Sequence, residues 1–300
     1  MEIWIPITIG AAVAQTFRFM LQKRLKGMAL STAGATFARF IYSSPLVAMI
    51  AITYATTTGQ GLPELPAAFW PYALAGGTSQ ILATMCVIAL FSHRNFAVGI
   101  TFKKTEVLLS AFFGFLILGD TFTTLTIVAM LIGLAGVLLL SDAPGGVGPW
   151  HRRIFSRATA LGLGAGMLFG ISGNGYRGAS LSLGEGDVFY RAIVTLAIVT
   201  AFQTVAMALW LAWRERGEIG RVVASWRVAG LVGITSMIGS ICWFKAFTLQ
   251  NAAYVNAVGQ IELLFSLIIG ALFFGDNIGK REWQGLLLLT CSIVMLVLLL

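Results

Sequence analysis

One stretch of the sequence decides the fold: NFAVGITFKKTEVLLSAFFGFLILGD, residues 95–120. It is apolar over a length that can cross a lipid bilayer, for which a helix of about 20 residues is enough. Near its middle it carries Lys103, Lys104 and Glu106. A charge at that depth is costly unless it is paired or faces water, so these three residues are expected to have a function.

The same stretch recurs 156 residues later as NAAYVNAVGQIELLFSLIIGALFFGD, residues 251–276. The second copy repeats Glu106 as Glu262 and the closing Asp120 as Asp276. Shared hydrophobicity does not explain carboxylates that recur at one constant offset. The recurrence therefore predicts a chain built from two copies of one half.

The composition predicts an all-α integral membrane protein whose main surroundings are the lipid bilayer. The chain is 58% hydrophobic and 11% charged, with a mean hydropathy of +0.87, whereas a soluble domain has about 25% charged residues. A net charge of +8 would favour nucleic-acid binding in a soluble protein. Here the basic residues cluster between apolar spans, where orientation in the membrane explains them, so no nucleic-acid partner is expected.

Segments long enough to cross the bilayer predict ten transmembrane helices. They lie at about 3–22, 33–57, 70–91, 95–118, 122–141, 158–179, 187–213, 227–247, 251–274 and 281–300. A polar linker at 142–157 separates an N-terminal repeat, 1–141, from a C-terminal repeat, 158–300. Because five helices per copy is an odd number, the two copies enter the membrane from opposite sides and form an inverted repeat.

The basic residues also predict the orientation. Nearly all the basic residues that lie between the spans are in the loops that follow odd-numbered helices. By the positive-inside rule these loops are cytoplasmic, and both termini are periplasmic.

Glu106 and Glu262 are the sharpest functional signal, because a carboxylate in lipid must be protonated, paired or hydrated. Lys103 precedes Glu106 by three residues, so the two could form an intrahelical pair that only neutralises itself. Glu262 has no such neighbour, since position 259 is glycine and position 260 is Gln260. Its neutralisation is therefore expected to leave the fold intact and to change the function.

Lys104 lies about 200° around the helix from Glu106, so the two cannot line one wall. We expect Lys104 to meet another helix, or to bind where the helix unwinds near Gly99. Arg39 and Arg191, each near a helix start, are expected either to extend to the lipid headgroups or to act in gating or in attracting the substrate.

Other polar residues in the spans also recur in pairs, and aromatic residues lie around them. The pairs are Ser79 with Thr235, Gln80 with Ser236, Thr84 with Ser240, and Arg18 with Asn174. The aromatic residues are either core or a wall of the substrate site. The predicted substrate-binding residues are Glu106, Glu262, Lys103, Gln260, Asn256, Gln80, Ser236, Trp243, Phe247 and Tyr254, and the predicted gating or orienting residues are Arg39, Arg191, Asp120 and Asp276.

The sequence has no constellation typical of catalysis. It has no HExxH or CxxC motif and no recognisable pair of nucleophile and base, and its two histidines lie in loops. We therefore predict that the protein is not an enzyme and uses neither a metal nor a cofactor.

The duplicated architecture resembles the drug/metabolite transporter superfamily, and within it the EamA-type branch with its aromatic amino acid exporters. The resemblance rests on the ten helices, on the Gly-Asp end of the fourth helix in each half, and on an aromatic-x-Arg motif at the second helix: Phe37 to Arg39 and Phe189 to Arg191. It implies a monomeric exporter in a bacterial inner membrane that works by alternating access.

Four functions follow from these observations. The first is export of small zwitterionic, amino-acid-like substrates, in which carboxylates bind an ammonium group, Lys103 a carboxylate, and aromatic rings the side chain. Export of organic cations or drugs would need the carboxylates and rings but not the lysine. A membrane enzyme would need a reactive constellation near the interface, and a channel would need a filter that the sequence does not show.

Overall fold

The chain is helical throughout the part described by the computed structural model, residues 2–28, 30–61, 63–91, 102–140, 157–263, 265 and 280–299. Within these residues it forms eleven helices. They are α1 (Trp4–Gly27), α2 (Thr32–Thr57), α3 (Phe69–Leu90), α4 (Glu106–Leu118), α5 (Thr124–Leu140), α6 (Arg157–Ser182), α7 (Val188–Arg214), α8 (Glu218–Ala224), α9 (Trp226–Leu249), α10 (Ala252–Gly259) and α11 (Lys280–Leu298). The prediction of an all-α protein is confirmed for the described residues.

Five helices, α1, α2, α3, α7 and α9, are long and apolar enough to cross a membrane. Large apolar side chains such as Leu209, Trp213 and Ile52 are mostly exposed on them, as expected of a surface that faces lipid rather than water. The short helix α8 lies where the sequence predicted only a loop. Its Glu218 accepts a hydrogen bond of 2.6 Å from the backbone N–H of Ser31, just before α2.

The ends of several helices follow from single residues. Ser31 precedes α2 and accepts a hydrogen bond of 2.9 Å from the Gly34 N–H, while Asp187 caps α7 in the same way. At the end of α4, Gly119 has a φ of +70°, which a side chain would strain. The Gly-Asp end singled out in the sequence is therefore a helix stop, at least in the first copy.

Helix packing places α4 and α10 side by side near the centre. Helix α3 packs on α6 and α1 packs on α9, while α2 pairs with α7 and α5 with α11. Helix α4 also packs on α6, and α10 on α1. These pairings are symmetric between the two predicted repeats. When each helix is replaced by its counterpart, the pair α3–α6 becomes α9–α1 and the pair α4–α6 becomes α10–α1, while α2–α7 and α5–α11 stay the same.

Glycines in α6 allow its neighbours to approach closely. A methyl group on Gly175 would lie 2.8 Å from the Tyr72 carbonyl oxygen of α3, and one on Gly166 would lie 2.8 Å from the Lys103 carbonyl oxygen. A methyl carbon does not approach a carbonyl oxygen this closely in a folded protein. The glycines therefore bring α6 against both α3 and the chain just before α4, as small residues do in membrane helices.

Candidate functional site

The α-helical hydrogen bonding is interrupted at equivalent points in the two copies, at Lys104–Thr105 and at Gln260–Ile261. The Thr105 N–H bonds to the Phe102 carbonyl at 3.2 Å, and the Gln260 N–H bonds to the Ala257 carbonyl at 3.2 Å. Both bonds span three residues rather than four, which tightens the helix locally into a 3₁₀ turn. The two turns place the central charged and amide side chains.

The first turn directs Lys104 away from Glu106 and towards the second copy. The Lys104 ammonium forms an ion pair with the Glu262 carboxylate. The other carboxylate oxygen of Glu262 accepts a hydrogen bond of 2.9 Å from Gln15 of α1. The expectation that Lys104 meets another helix is confirmed, but the expectation that Glu262 lacks a partner is wrong, because its partners come from distant parts of the chain.

Glu106 has one partner in its own copy and one in the other. Lys103 donates a hydrogen bond of 3.1 Å to Glu106 Oε1, and Gln260 donates one of 3.2 Å to the same oxygen. The intrahelical pair predicted from the spacing is therefore present. Since Gln260 is equivalent to Lys104, each glutamate accepts a hydrogen bond from the turn of the opposite copy.

A cavity of about 40 Å³ lies beside these contacts, between α1, α3, α4, α6, α9 and α10. Six of the predicted substrate-binding residues line it: Lys103, Glu106, Gln80, Asn256, Trp243 and Phe247. Asn256 also donates a hydrogen bond of 2.7 Å to Ser110. The volume has room for about one water molecule, whose share of liquid volume is about 30 Å³. A metabolite can enter only if the surrounding helices move apart.

Aromatic rings form one wall of this cavity. Trp243 and Phe247 of α9 stack with ring centroids 5.6 Å apart, and Tyr176 of α6 stacks on Phe244 at 4.1 Å. The Lys103 ammonium lies 5.0 Å from the ring centre of Phe169. The wall therefore consists of apolar ring faces, and the Lys103 ammonium lies at its edge.

Tyr254 does not line this cavity. Its hydroxyl bonds to that of Thr126 at 3.0 Å, and its ring packs on Phe122. Two residues of helix rotate a side chain by about 200°, so Tyr254 faces away when Asn256 faces the cavity. Glu262 lies outside the lining as well, and its hydrogen bond with Gln15 connects it to the cavity wall.

Arg39 is buried, with only 2% of its surface exposed, so it does not extend to the headgroups. Its guanidinium donates hydrogen bonds of 3.3 Å to Thr84 of α3 and to Ser240 of α9. These two hydroxyl residues are equivalent in the two copies, so Arg39 lies between corresponding points of α3 and α9.

The remaining predicted residues lie away from the cavity. Ser236 is buried and its hydroxyl has no hydrogen-bond partner among the described residues. Arg191 and Asp120 are half-buried at the start of α7 and just after α4. Asp276 and most of the predicted linker fall outside the described residues.

Several cavity residues were not among the predicted ones. They are Gln15, Phe169, Ser172, Gly173, Tyr176, Ser240 and Phe244. A glutamine in an apolar span, such as Gln15, was a usable signal, because a buried amide must find hydrogen-bond partners. The aromatic residues of the cavity gave no such signal, because aromatic residues also occur in protein cores and at membrane interfaces.

Three comparisons place the chain among known proteins. Residues 158–298 match the EamA-like transporter family. A protein of a Sinorhizobium species described as an uncharacterized transporter in the cobO 3′ region is 25% identical over 107 residues, which are 35% of this chain and 71% of that protein.

A crystal structure of another protein, 14% identical in sequence, has a TM-score of 0.71 with this one and covers 99% of this chain and 96% of its own. At that identity the match shows a shared fold and nothing about the substrate. The C-terminal part of the chain is therefore similar to EamA-like transporters, and the related protein is itself described as a transporter.

Proposed function

We propose that this protein exports small zwitterionic metabolites, amino acids including aromatic ones first among them, by alternating access. The observation that carries the proposal is a buried cavity lined by Lys103, Glu106 and stacked aromatic rings. Glu106 would accept hydrogen bonds from an ammonium group and Lys103 would bind a carboxylate. The rings of Trp243 and Phe247 would take up an apolar side chain.

The same cavity supports a mechanism in which access alternates. Since it has space for about one water molecule, binding of an amino acid requires separation of the helices around it. The two 3₁₀ turns, at Lys104–Thr105 and Gln260–Ile261, supply hinges in the elements that would have to move. Opening to one side and then to the other would carry the solute across.

An arrangement of two inverted repeats, at 1–141 and 158–300 with a linker at 142–157, belongs to the same proposal. Its support is the exchange of helix pairings, in which α3 packs on α6 as α9 packs on α1. Inverted repeats provide two conformations of similar energy around one central site. We further propose that the protein is monomeric, lies in a bacterial inner membrane and has both termini in the periplasm.

The transport proposal is tested with purified protein in sealed vesicles. Flux of radiolabelled amino acids is compared between the parent, Glu106→Gln and the exposed-site control Glu64→Gln. We expect flux in the parent and the control and at least about a tenfold loss in Glu106→Gln, because a charged hydrogen bond to the ammonium is lost. Vesicles that accumulate no amino acid above protein-free vesicles would overturn the proposal.

The orientation needs its own experiment. A reporter active only in the cytoplasm should be inactive when fused after residue 300, and one active only in the periplasm should be active there. The reverse pattern would place the termini in the cytoplasm.

A further inference from the structure

The buried polar cluster around the cavity contains more positive than negative charge. Every ionisable member is less than a tenth exposed. In the described parts of the chain the members are Arg18, Arg39, Lys103, Lys104, Glu106 and Glu262. Each glutamate already pairs with one lysine, Glu106 with Lys103 and Glu262 with Lys104. Two positive charges are left over, and they belong to the arginines.

Both guanidinium groups donate their hydrogen bonds to neutral side chains. Arg18 donates to Gln15 at 3.2 Å, and its Nε has no hydrogen-bond partner among the described residues. Arg39 donates to the hydroxyls of Thr84 and Ser240. A carboxylate near Arg18, that of Glu262, has its oxygens bonded to Lys104 and Gln15.

Arg18 lies close enough to Arg39 for their charges to repel, and the Glu262 carboxylate, already paired with Lys104, attracts Arg18 in the opposite sense. An aromatic ring lies beside each guanidinium, Phe19 at 4.6 Å from Arg18 and Phe40 at 5.3 Å from Arg39. A ring attracts a cation but does not neutralise it. A lysine in such surroundings can lose its proton, whereas arginine stays charged in proteins.

Each arginine reaches the cavity wall through one neutral side chain. Arg18 bonds to Gln15 and Arg39 bonds to Ser240, and both Gln15 and Ser240 line the cavity. An anion in the cavity would therefore be attracted from α1 and from α2 at once. Arginine also matches the geometry of carboxylate and phosphate oxygens through its planar fork of donors.

We propose that Arg18 and Arg39 form an anion subsite, so that the preferred solute carries a net negative charge and binds there through an anionic oxygen group. This inference rests on the proposed transport by alternating access, and it moves the preferred substrates from neutral zwitterions to acidic amino acids and small dicarboxylates. A neutral zwitterion leaves the two excess charges uncompensated. An organic cation would add to the excess of positive charge.

A series of four-carbon solutes tests the charge preference at nearly constant size: succinate, aspartate, asparagine and 1,4-diaminobutane. Binding is measured by the melting temperature of the purified full-length protein, and flux is measured in vesicles, all at pH 7. We expect the order succinate, aspartate, asparagine, diamine for both measurements. A solute whose anionic group displaces Gln15 or Ser240 and accepts a charged hydrogen bond from the guanidinium behind it should bind about ten- to a hundredfold more tightly.

The arginine variants test the subsite itself. Arg18→Gln and Arg39→Gln should each reduce the preference for succinate over asparagine about tenfold or more. The variants without solute should melt no lower than the parent, because each relieves the repulsion between the guanidiniums. Arg18→Lys keeps the charge but loses the planar fork of donors, so its preference for succinate should lie between those of the parent and Arg18→Gln. The exposed Arg216→Gln serves as the control.

The outcomes separate this inference from the transport proposal. If asparagine or the diamine is preferred, if no anion binds, or if the arginine variants keep the parent's preference, the anion subsite is overturned. Flux of neutral amino acids would in that case still support export. If succinate binds and the arginine variants abolish binding but no solute crosses the vesicle membrane, the subsite stands and the export proposal fails. An effect of phosphate esters equal to that of succinate would extend the subsite to phosphate.

Discussion

Lys104 and Glu262 form a buried ion pair between the two copies of the duplicated stretch, with 2% and 12% of their side chains exposed. The relation is repeated in reverse where Gln260 donates to Glu106. The turn of each copy therefore contacts the glutamate of the other. If α4 moves relative to α10, both contacts must either break or move together with the helices.

Glu262→Gln should destabilise the protein, contrary to the expectation from the sequence. Removing the carboxylate leaves the Lys104 ammonium buried without its counter-charge, which costs about 3–5 kcal/mol. The double variant Lys104→Met, Glu262→Gln should recover much of that loss, because it leaves no unpaired charge. Thermal and chemical denaturation of the two single variants, the double variant and the exposed control Glu64→Gln measure the coupling. Equal stability of the parent and Glu262→Gln would show that the pair does not stabilise the protein.

Gly166→Ala should destabilise the packing of α6 on the first turn. The added methyl group would lie 2.8 Å from the Lys103 carbonyl oxygen, and overpacking of this kind costs about 1–3 kcal/mol. Gly164→Ala is the matched control, because a methyl group there has open space and alanine favours the helix. The melting temperature should fall for the first variant and not for the second. A fall of equal size in both would assign the effect to the helix backbone rather than to the contact with Lys103.

Gly259→Ala should impair transport more than stability. A methyl group at this position would lie 2.5 Å from the edge of the Trp243 ring, which lines the cavity. The ring must shift, and the stacking on Phe247 must shift with it. Flux should fall about five- to 150-fold if the shifted ring raises the free energy of the solute-bound conformation by about 1–3 kcal/mol. Gly230→Ala on α9 has open space and is the control.

Asp187, at the start of α7, should make stability depend on pH. Burial acts to raise the pKa of Asp187, but hydrogen bonds from the Tyr190 N–H, Gln60, Tyr54 and the Phe189 N–H outweigh it and lower the pKa. A lowered pKa means that the carboxylate stabilises the fold above its unfolded-state pKa, about 3.9. That contribution is lost as the pH falls through the folded-state pKa.

Asp187→Ala should therefore cost about 1 kcal/mol at pH 7, as expected for a lost helix cap. The difference from the parent should shrink below about pH 4, where the parent carboxylate becomes protonated. Asp187→Asn keeps the cap without a charge and should melt near the parent at pH 7. Denaturation curves at pH 7 and pH 3 check this, and a constant difference between the parent and Asp187→Ala would contradict it.

The sequence identified which residues are buried and charged, but not which of them meet. The spacing of Lys103 and Glu106 was sufficient to predict their contact, because both lie on one short segment. The partners of Glu262, which include Lys104 and Gln15, depend on how α1, α4 and α10 pack. No local pattern records that packing.

The two 3₁₀ turns were not predictable either. Neither Lys104–Thr105 nor Gln260–Ile261 contains the proline or glycine that usually marks an interruption. The sequence did not predict α8 for a related reason, because its seven residues are too few to show a periodic hydrophobic pattern. What holds α8 in place is the contact of Glu218 with the start of α2, far away in the chain.

The crossed contacts between the copies also limit how the sequence can diverge. Lys104 and Glu262 belong to one interaction, and Gln260 and Glu106 to another, so neither copy can change its turn or its glutamate independently. Among relatives, loss of the lysine at 104 should be accompanied by a neutral residue at 262, while position 260 should change together with 106. The two halves, although joined only once along the backbone, would then evolve as a single unit at these four positions.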